Sequence, residues 1–154
     1  WSSDVCSSDL GVPVLLRPGQ ISRTQIEQAC GIKLHNPDAL PTAAPRASGT
    51  LASHYAPSAK VRLMQTADWQ KALAALGPHT QNLALWSVEK PANDLMGAGL
   101  VWRALPADAN QAAHDLFSVL RDFDARGVRT IWIEMPPDSP EWEGVRDRIQ
   151  RAAA

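Results

Sequence analysis

The stretch DANQAAHDLFSVLRDFDARGVRTIWIE, residues 108–134, decides the fold. Ala113, Leu116, Phe117, Leu120 and Phe123 fall on one side of a helix running from about Ala109 to Arg126. Asp108 can cap that helix, with Gln111 three residues on, and Gly127 ends it. Thr130–Glu134 is β-branched and aromatic, the composition of a strand.

Working outward, the same alternation recurs. Val61–Gln65 reads as a strand, followed by a helix over Asp68–Leu76 whose Trp69, Ala72, Leu73 and Leu76 share a face, with Gly77 closing it. Leu83–Val88 and Leu100–Leu105 are two further strands. Ser139-Pro140-Glu141 is a helix start, a capping hydroxyl followed by Pro at the first turn and an acid near the positive dipole end. Trp142, Val145 and Ile149 give that last helix a buried stripe. Strands alternating with helices imply an α/β class fold: a small, Rossmann-like, three-layer domain with a mainly parallel sheet over residues 60–154.

Upstream the character changes. Val12–Leu16 is a short apolar run that reads as a buried strand, broken by Arg17-Pro18-Gly19. Ser22 and Gln25 form a capping-box pattern for a helix over Arg23–Cys30, with Gly31 as its stop. Residues 32–59 hold Pro37, Pro41, Pro45 and Pro57 among Asn36, Asp38, Ser48 and Gly49, which leaves little room for a regular element and reads as an irregular linker. With Val12–Leu16 cut off from a sheet, residues 11–57 are expected to pack poorly.

Residues 1–10 show neither helical nor strand periodicity. Val5-Cys6-Ser7-Ser8-Asp9-Leu10 is similar to an in-frame translation of a DNA-sequencing adapter, so the segment is expected to be a non-native leader; a genuine polar loop is the alternative. The first residue is Trp1, and the chain is expected to begin inside a longer reading frame.

Composition narrows the function classes. Charged residues make up 20% and the net charge is −1, which offers no basic surface for long nucleic-acid backbones or anionic membranes. No apolar run approaches the roughly 18–20 residues of a membrane span. Two cysteines, Cys6 and Cys30, make no disulfide framework, so a reducing, cytoplasmic setting is expected.

Few residues carry candidate chemistry. Arg17 lies at a strand end, where α/β sheets tend to bind ligands, and a guanidinium there can clamp a phosphate; an ordinary surface arginine before a turn is the other reading. Tyr55, the one tyrosine in the chain, lies in the linker, either to pack on a ligand and donate its hydroxyl or to anchor the linker. His54 beside it has no metal-like spacing with His35, His79 or His114 and no nucleophile to pair with, which favours orienting the linker. Met96-Gly97-Ala98-Gly99 precedes a strand instead of following one, so it fails the dinucleotide fingerprint and reads as a turn. The six tryptophans are mostly core.

A resemblance joins these pieces. Leu15-Leu16-Arg17-Pro18-Gly19-Gln20-Ile21 resembles the closing strand and turn of the YrdC-like catalytic domain of threonylcarbamoyl-AMP synthases. Ser53-His54-Tyr55-Ala56-Pro57 resembles the His-Tyr-x-Pro signature of the linker in the long, two-domain form. Leu105-Pro106, Leu120-Arg121-Asp122-Phe123-Asp124, and Ile131–Pro137 before Asp147-Arg148-Ile149 are similar to that family's small C-terminal domain.

The resemblance implies a C-terminal fragment: residues 11–31 end a YrdC-like domain, 32–59 are linker and 60–154 the C-terminal domain. The parent enzyme, a nucleotidyltransferase, would make threonylcarbamoyl-AMP from L-threonine, bicarbonate and ATP, releasing pyrophosphate, for threonylcarbamoyladenosine in tRNA. The tRNA itself would be met only through downstream transfer proteins. Arg17 carries over to ATP phosphate recognition and Tyr55 to the nucleotide, with His54 a linker contact. The threonine pocket and catalytic residues lie outside this fragment, which alone is expected to be inactive and to bind ATP weakly; magnesium is not fixed by these residues and no metal ligand set is expected. Ser48-Gly49-Thr50 departs from the Pro-Gly-Met-like step of many members, which leaves Arg46, Ser48 and Gly49 open. The rival reading is a stand-alone α/β small-molecule or protein-interaction module.

Overall fold

The structure, a computed structural model, describes residues 5–7, 12–19, 21–37, 57–75, 82–91 and 99–154. Four strands, β3 (Lys60–Met64), β4 (Leu83–Ser87), β5 (Leu100–Ala104) and β6 (Thr130–Glu134), form one sheet in the order β3-β6-β4-β5. Every neighbouring pair is parallel. Helix α2 (Thr66–Ala75) follows β3, α3 (Ala109–Ala125) follows β5 and α4 (Glu143–Ala152) follows β6. The expected α/β domain with a mainly parallel sheet is therefore present.

Period-two alternation along the strands separates two cores. Val61, Ala84, Trp86, Ile131 and Ile133 point to one face, where Leu116, Leu120 and Phe123 of α3 and Val145 and Ile149 of α4 cover them. Leu83, Leu85 and Leu100 point to the other, against Trp69 and Leu73 of α2, with Trp102 and Trp132 at its margin. Trp69 and Trp132 meet edge to face at 6.5 Å. All five residues of β4 are buried, as a strand covered on both faces requires. Trp86, fully buried, donates from Nε1 to the Ala104 carbonyl at 3.1 Å, so its polar end is satisfied inside the core.

The helix ends follow local chemistry. Ser22 and Gln25 make a complete capping box on α1 (Arg23–Cys30), and Gly31 adopts the left-handed conformation, φ 69°, behind it. Asp108 accepts from the Gln111 amide at 2.8 Å. Ser139 departs from expectation: it makes no side-chain cap, and its hydroxyl instead donates to Glu141 at 2.7 Å. A single 3-10 turn, Pro140–Trp142, separates it from α4, too far for a capping bond.

Two expectations for the N-terminal part are corrected, the second for β2 alone, since α1 (Arg23–Cys30) buries none of its residues. Residues Val5–Ser7, which lack strand periodicity, form β1 and pair antiparallel with β2 (Val14–Arg17). Backbone pairing needs no side-chain pattern, which is why the sequence gives no sign of it. Nor is β2 poorly packed: Val14, Leu15 and Leu16 are buried. Part of the expected linker supplies a partner, since Leu15 donates to the His35 carbonyl at 3.0 Å and His35 to that of Pro13 at 2.9 Å. Arg23 donates to the Leu34 carbonyl at 2.7 Å, and the Leu34 amide to Glu27 at 2.8 Å. Among the described residues, no helix is long and apolar enough to cross a membrane.

Candidate functional site

Of the three sequence candidates, the structure describes one. Arg17 closes β2, half-buried, opposite Val5 of β1. The turn it opens reaches α4: a Cβ built on Gly144 would lie 2.6 Å from the Gly19 carbonyl oxygen. Only a glycine allows that approach, and it seats the Arg17-Pro18-Gly19 turn on the C-terminal α/β domain. His54 and Tyr55 lie outside the described residues. The far end of the same linker is fixed, because Asp124 of α3 accepts from the amides of Ser58 at 2.9 Å and Ala59 at 3.2 Å. A carboxylate taking two backbone donors determines where the chain leaves the linker and enters β3.

A second site is one that sequence reasoning missed. All four strands end on the same side of the sheet, and a crevice of about 850 Å³ opens there. Its walls come from Gln65 and Trp69 after β3, Val88 and Glu89 after β4, and Leu105 and Pro106 after β5. Glu134 at the end of β6, together with Asp138, Trp142 and Arg146, completes them. Glu134 is only 6% exposed. Its Oε2 accepts from the Val88 amide at 2.9 Å, and among the described residues nothing donates to Oε1.

The rim around Glu134 is held by its own polar contacts. Ser87, fully buried, accepts from Trp102 Nε1 at 3.0 Å and donates to the Glu89 carbonyl at 2.8 Å. Gln70 of α2 reaches Glu89 at 3.5 Å, and Met135 donates to the Met64 carbonyl at 2.8 Å. Arg146 is ion-paired with Asp138. Among the described residues, no three His, Cys, Asp or Glu side chains group as a metal site. The only legible signal for this crevice was polar residues (Gln65, Glu89, Glu134) ending or following strands, and that signal is weak without the strand order.

A strongly paired cluster lies outside the crevice, on α3. Asp122 of α3 bridges Arg103 at 2.8 Å and Arg126 at 3.1 Å. Burial pushes its carboxyl up, but the bonds and charges of Arg126 and Arg103 outweigh this and hold it below its ordinary value. Because it joins β5 to the end of α3, it serves the scaffold.

Comparison with known proteins places the chain. Residues 21–154 match the family profile described as threonylcarbamoyl-AMP synthase, C-terminal domain. Among solved structures, Sua5 of P. abyssi in complex with L-threonine superposes with a TM-score of 0.70 at 25% identity, over 92% of this chain and 42% of that one. A variant of P. abyssi Sua5 with an adjacent histidine and tyrosine replaced by alanine gives 0.67 at 23% identity, over 92% and 41%. The chain thus spans about two fifths of the length of these relatives. No curated protein matches.

Proposed function

The chain belongs to the threonylcarbamoyl-AMP synthase C-terminal domain family, and on that premise we propose that it is the C-terminal part of a two-domain synthase. The parent enzyme condenses L-threonine, bicarbonate and ATP into threonylcarbamoyl-AMP with release of pyrophosphate, in the service of tRNA modification. The observation that carries this reading is the family match over residues 21–154. The L-threonine held by the P. abyssi relative supports threonine as the substrate.

In this proposal residues 11–31 end the catalytic domain, 32–59 form the linker and 60–154 the C-terminal domain, with residues 1–10 outside the native protein. Arg17 contributes a guanidinium to the ATP phosphates, where a planar fork suits two parallel hydrogen bonds. Tyr55 meets the nucleotide as the linker closes, and His54 orients that linker. Closure excludes water from a carbamate and a mixed anhydride that both hydrolyse readily. The Gly19–Gly144 contact and the Asp124 clasp support this arrangement, because they tie the Arg17 turn and the linker's exit to helices of the same α/β domain. With two contacts of a larger site, the 154-residue chain alone is inactive and holds ATP weakly.

The test is a pyrophosphate-release assay on the longer protein with threonine, bicarbonate and ATP. Arg17→Ala and Tyr55→Phe are each expected to lose about tenfold or more in kcat/KM, the worth of one charge-assisted or buried hydrogen bond. Both variants at full activity would refute the residue roles. Absence of threonylcarbamoyl-AMP from the wild-type reaction would refute the function itself.

A further inference from the structure

The crevice at the carboxyl ends of the sheet plays no part in the proposed ATP chemistry, yet it has the features of a binding site. It is concave, walled by indoles and aliphatic side chains, and carries few polar groups. Burying a carboxylate is costly unless its oxygens are paired. Glu134 is 6% exposed and satisfied only at Oε2, through the Val88 amide. Its other oxygen accepts from no donor among the described residues, and Glu134 lines the crevice.

The charges around it select the guest. Three carboxylates, Glu89, Glu134 and Asp138, line the crevice against one guanidinium, Arg146, and that cation is already engaged by Asp138. A phosphate or carboxylate entering here meets net negative charge and, among the described lining residues, no uncommitted cation. Among the described residues, the crevice also has no glycine-rich turn that would bring backbone amides to a pyrophosphate. A cation meets the reverse: an acceptor on Glu134 and, in Trp69 and Trp142, indoles that wall the space for its apolar part. We propose that the crevice at the ends of β3, β6, β4 and β5 binds a small organic cation, an ammonium or guanidinium group on a compact apolar body, with Glu134 receiving the charge and Trp69 and Trp142 walling the apolar part.

The experiment follows the indole N–H signals of the 154-residue chain by NMR during titration with n-butylammonium and n-butylguanidinium, and separately with butyrate and AMP. Saturable shifts at Trp69 and Trp142 are expected for the two cations at about millimolar concentration. Butyrate and AMP should leave those signals in place. Trp86, fully buried and not a wall of the crevice, should stay fixed throughout and reports an intact fold. Glu134→Gln keeps an acceptor for the Val88 amide but loses the charge, and should weaken cation binding about tenfold or more.

Three results overturn the proposal: no saturable shift with either cation, equal affinity in E134Q, or saturation of the same signals by butyrate or AMP. If E134Q disturbs Trp86 in the free protein, Arg146→Ala decides instead. Removing the resident cation should tighten butylammonium binding by about twofold or more, and unchanged or weaker binding overturns the proposal.

Discussion

Replacing Gly144 with alanine sets two effects of known size against each other. Gly144 is the second residue of α4, and a helix gains about 1 kcal/mol when alanine replaces glycine. The structure opposes that gain, since the new Cβ would stand 2.6 Å from the Gly19 carbonyl oxygen and 3.3 Å from its carbon. It would also lie 3.2 Å from Nη1 of Arg148, which is the end of a flexible side chain and can move. The Gly19 carbonyl is backbone, in a turn that follows the buried β2, so the turn and α4 must part. Overpacking of this kind costs about 1–3 kcal/mol. The clash therefore outweighs the propensity, and Gly144→Ala should destabilise by about 1 kcal/mol net, or about 2–4 °C in Tm for a chain of this size. Urea unfolding followed by tryptophan fluorescence measures the first quantity, and amide shifts at Arg17 and Gly19 locate the displacement. A variant more stable than wild type, with those amides unmoved, would refute the contact between the turn and α4.

Two further outcomes follow from the clasps around α3. Asp124→Ala removes the acceptor of two backbone donors and should cost about 1–2 kcal/mol, with the Ser58 and Ala59 amides exchanging faster; unchanged exchange at both would show that the clasp is not formed in solution. The carboxyl of Asp122 is held below its ordinary 3.8, so its stabilising effect is complete above that value and fades as pH falls through the lower, folded-state value. Asp122→Asn should therefore lower Tm at pH 7, by an amount worth at most about 1 kcal/mol for a partly exposed pair. The difference from wild type should shrink on acidification below pH 4 and in high salt. A difference independent of both would assign the effect to packing.

Much of the fold was legible because it rests on local rules. The α1 capping box, the Asp108 cap and the left-handed Gly31 and Gly127 need only a few adjacent residues, and each forms. Ser139 shows the limit, because a hydroxyl of the right type also needs a helix to begin within its reach. Arg17 was legible as a strand-end residue; the Gly144 approach beneath its turn was not, since nothing in Glu143-Gly144-Val145 names a partner 125 residues upstream. The crevice was illegible for the same reason. Trp69, Glu89, Glu134 and Trp142 come from separate elements and read singly as core or surface.

The sequence alone determined the alternation of strands and helices, their approximate ends, and the two faces each strand presents, because hydrophobic period and capping act over a turn or two of chain. The tertiary structure decided the order β3-β6-β4-β5, the pairing of β2 with residues on either side of it, and the burial of Glu134. Those depend on which distant surfaces fit together, and the free energy of that fit belongs to pairs of segments, not to either segment read by itself.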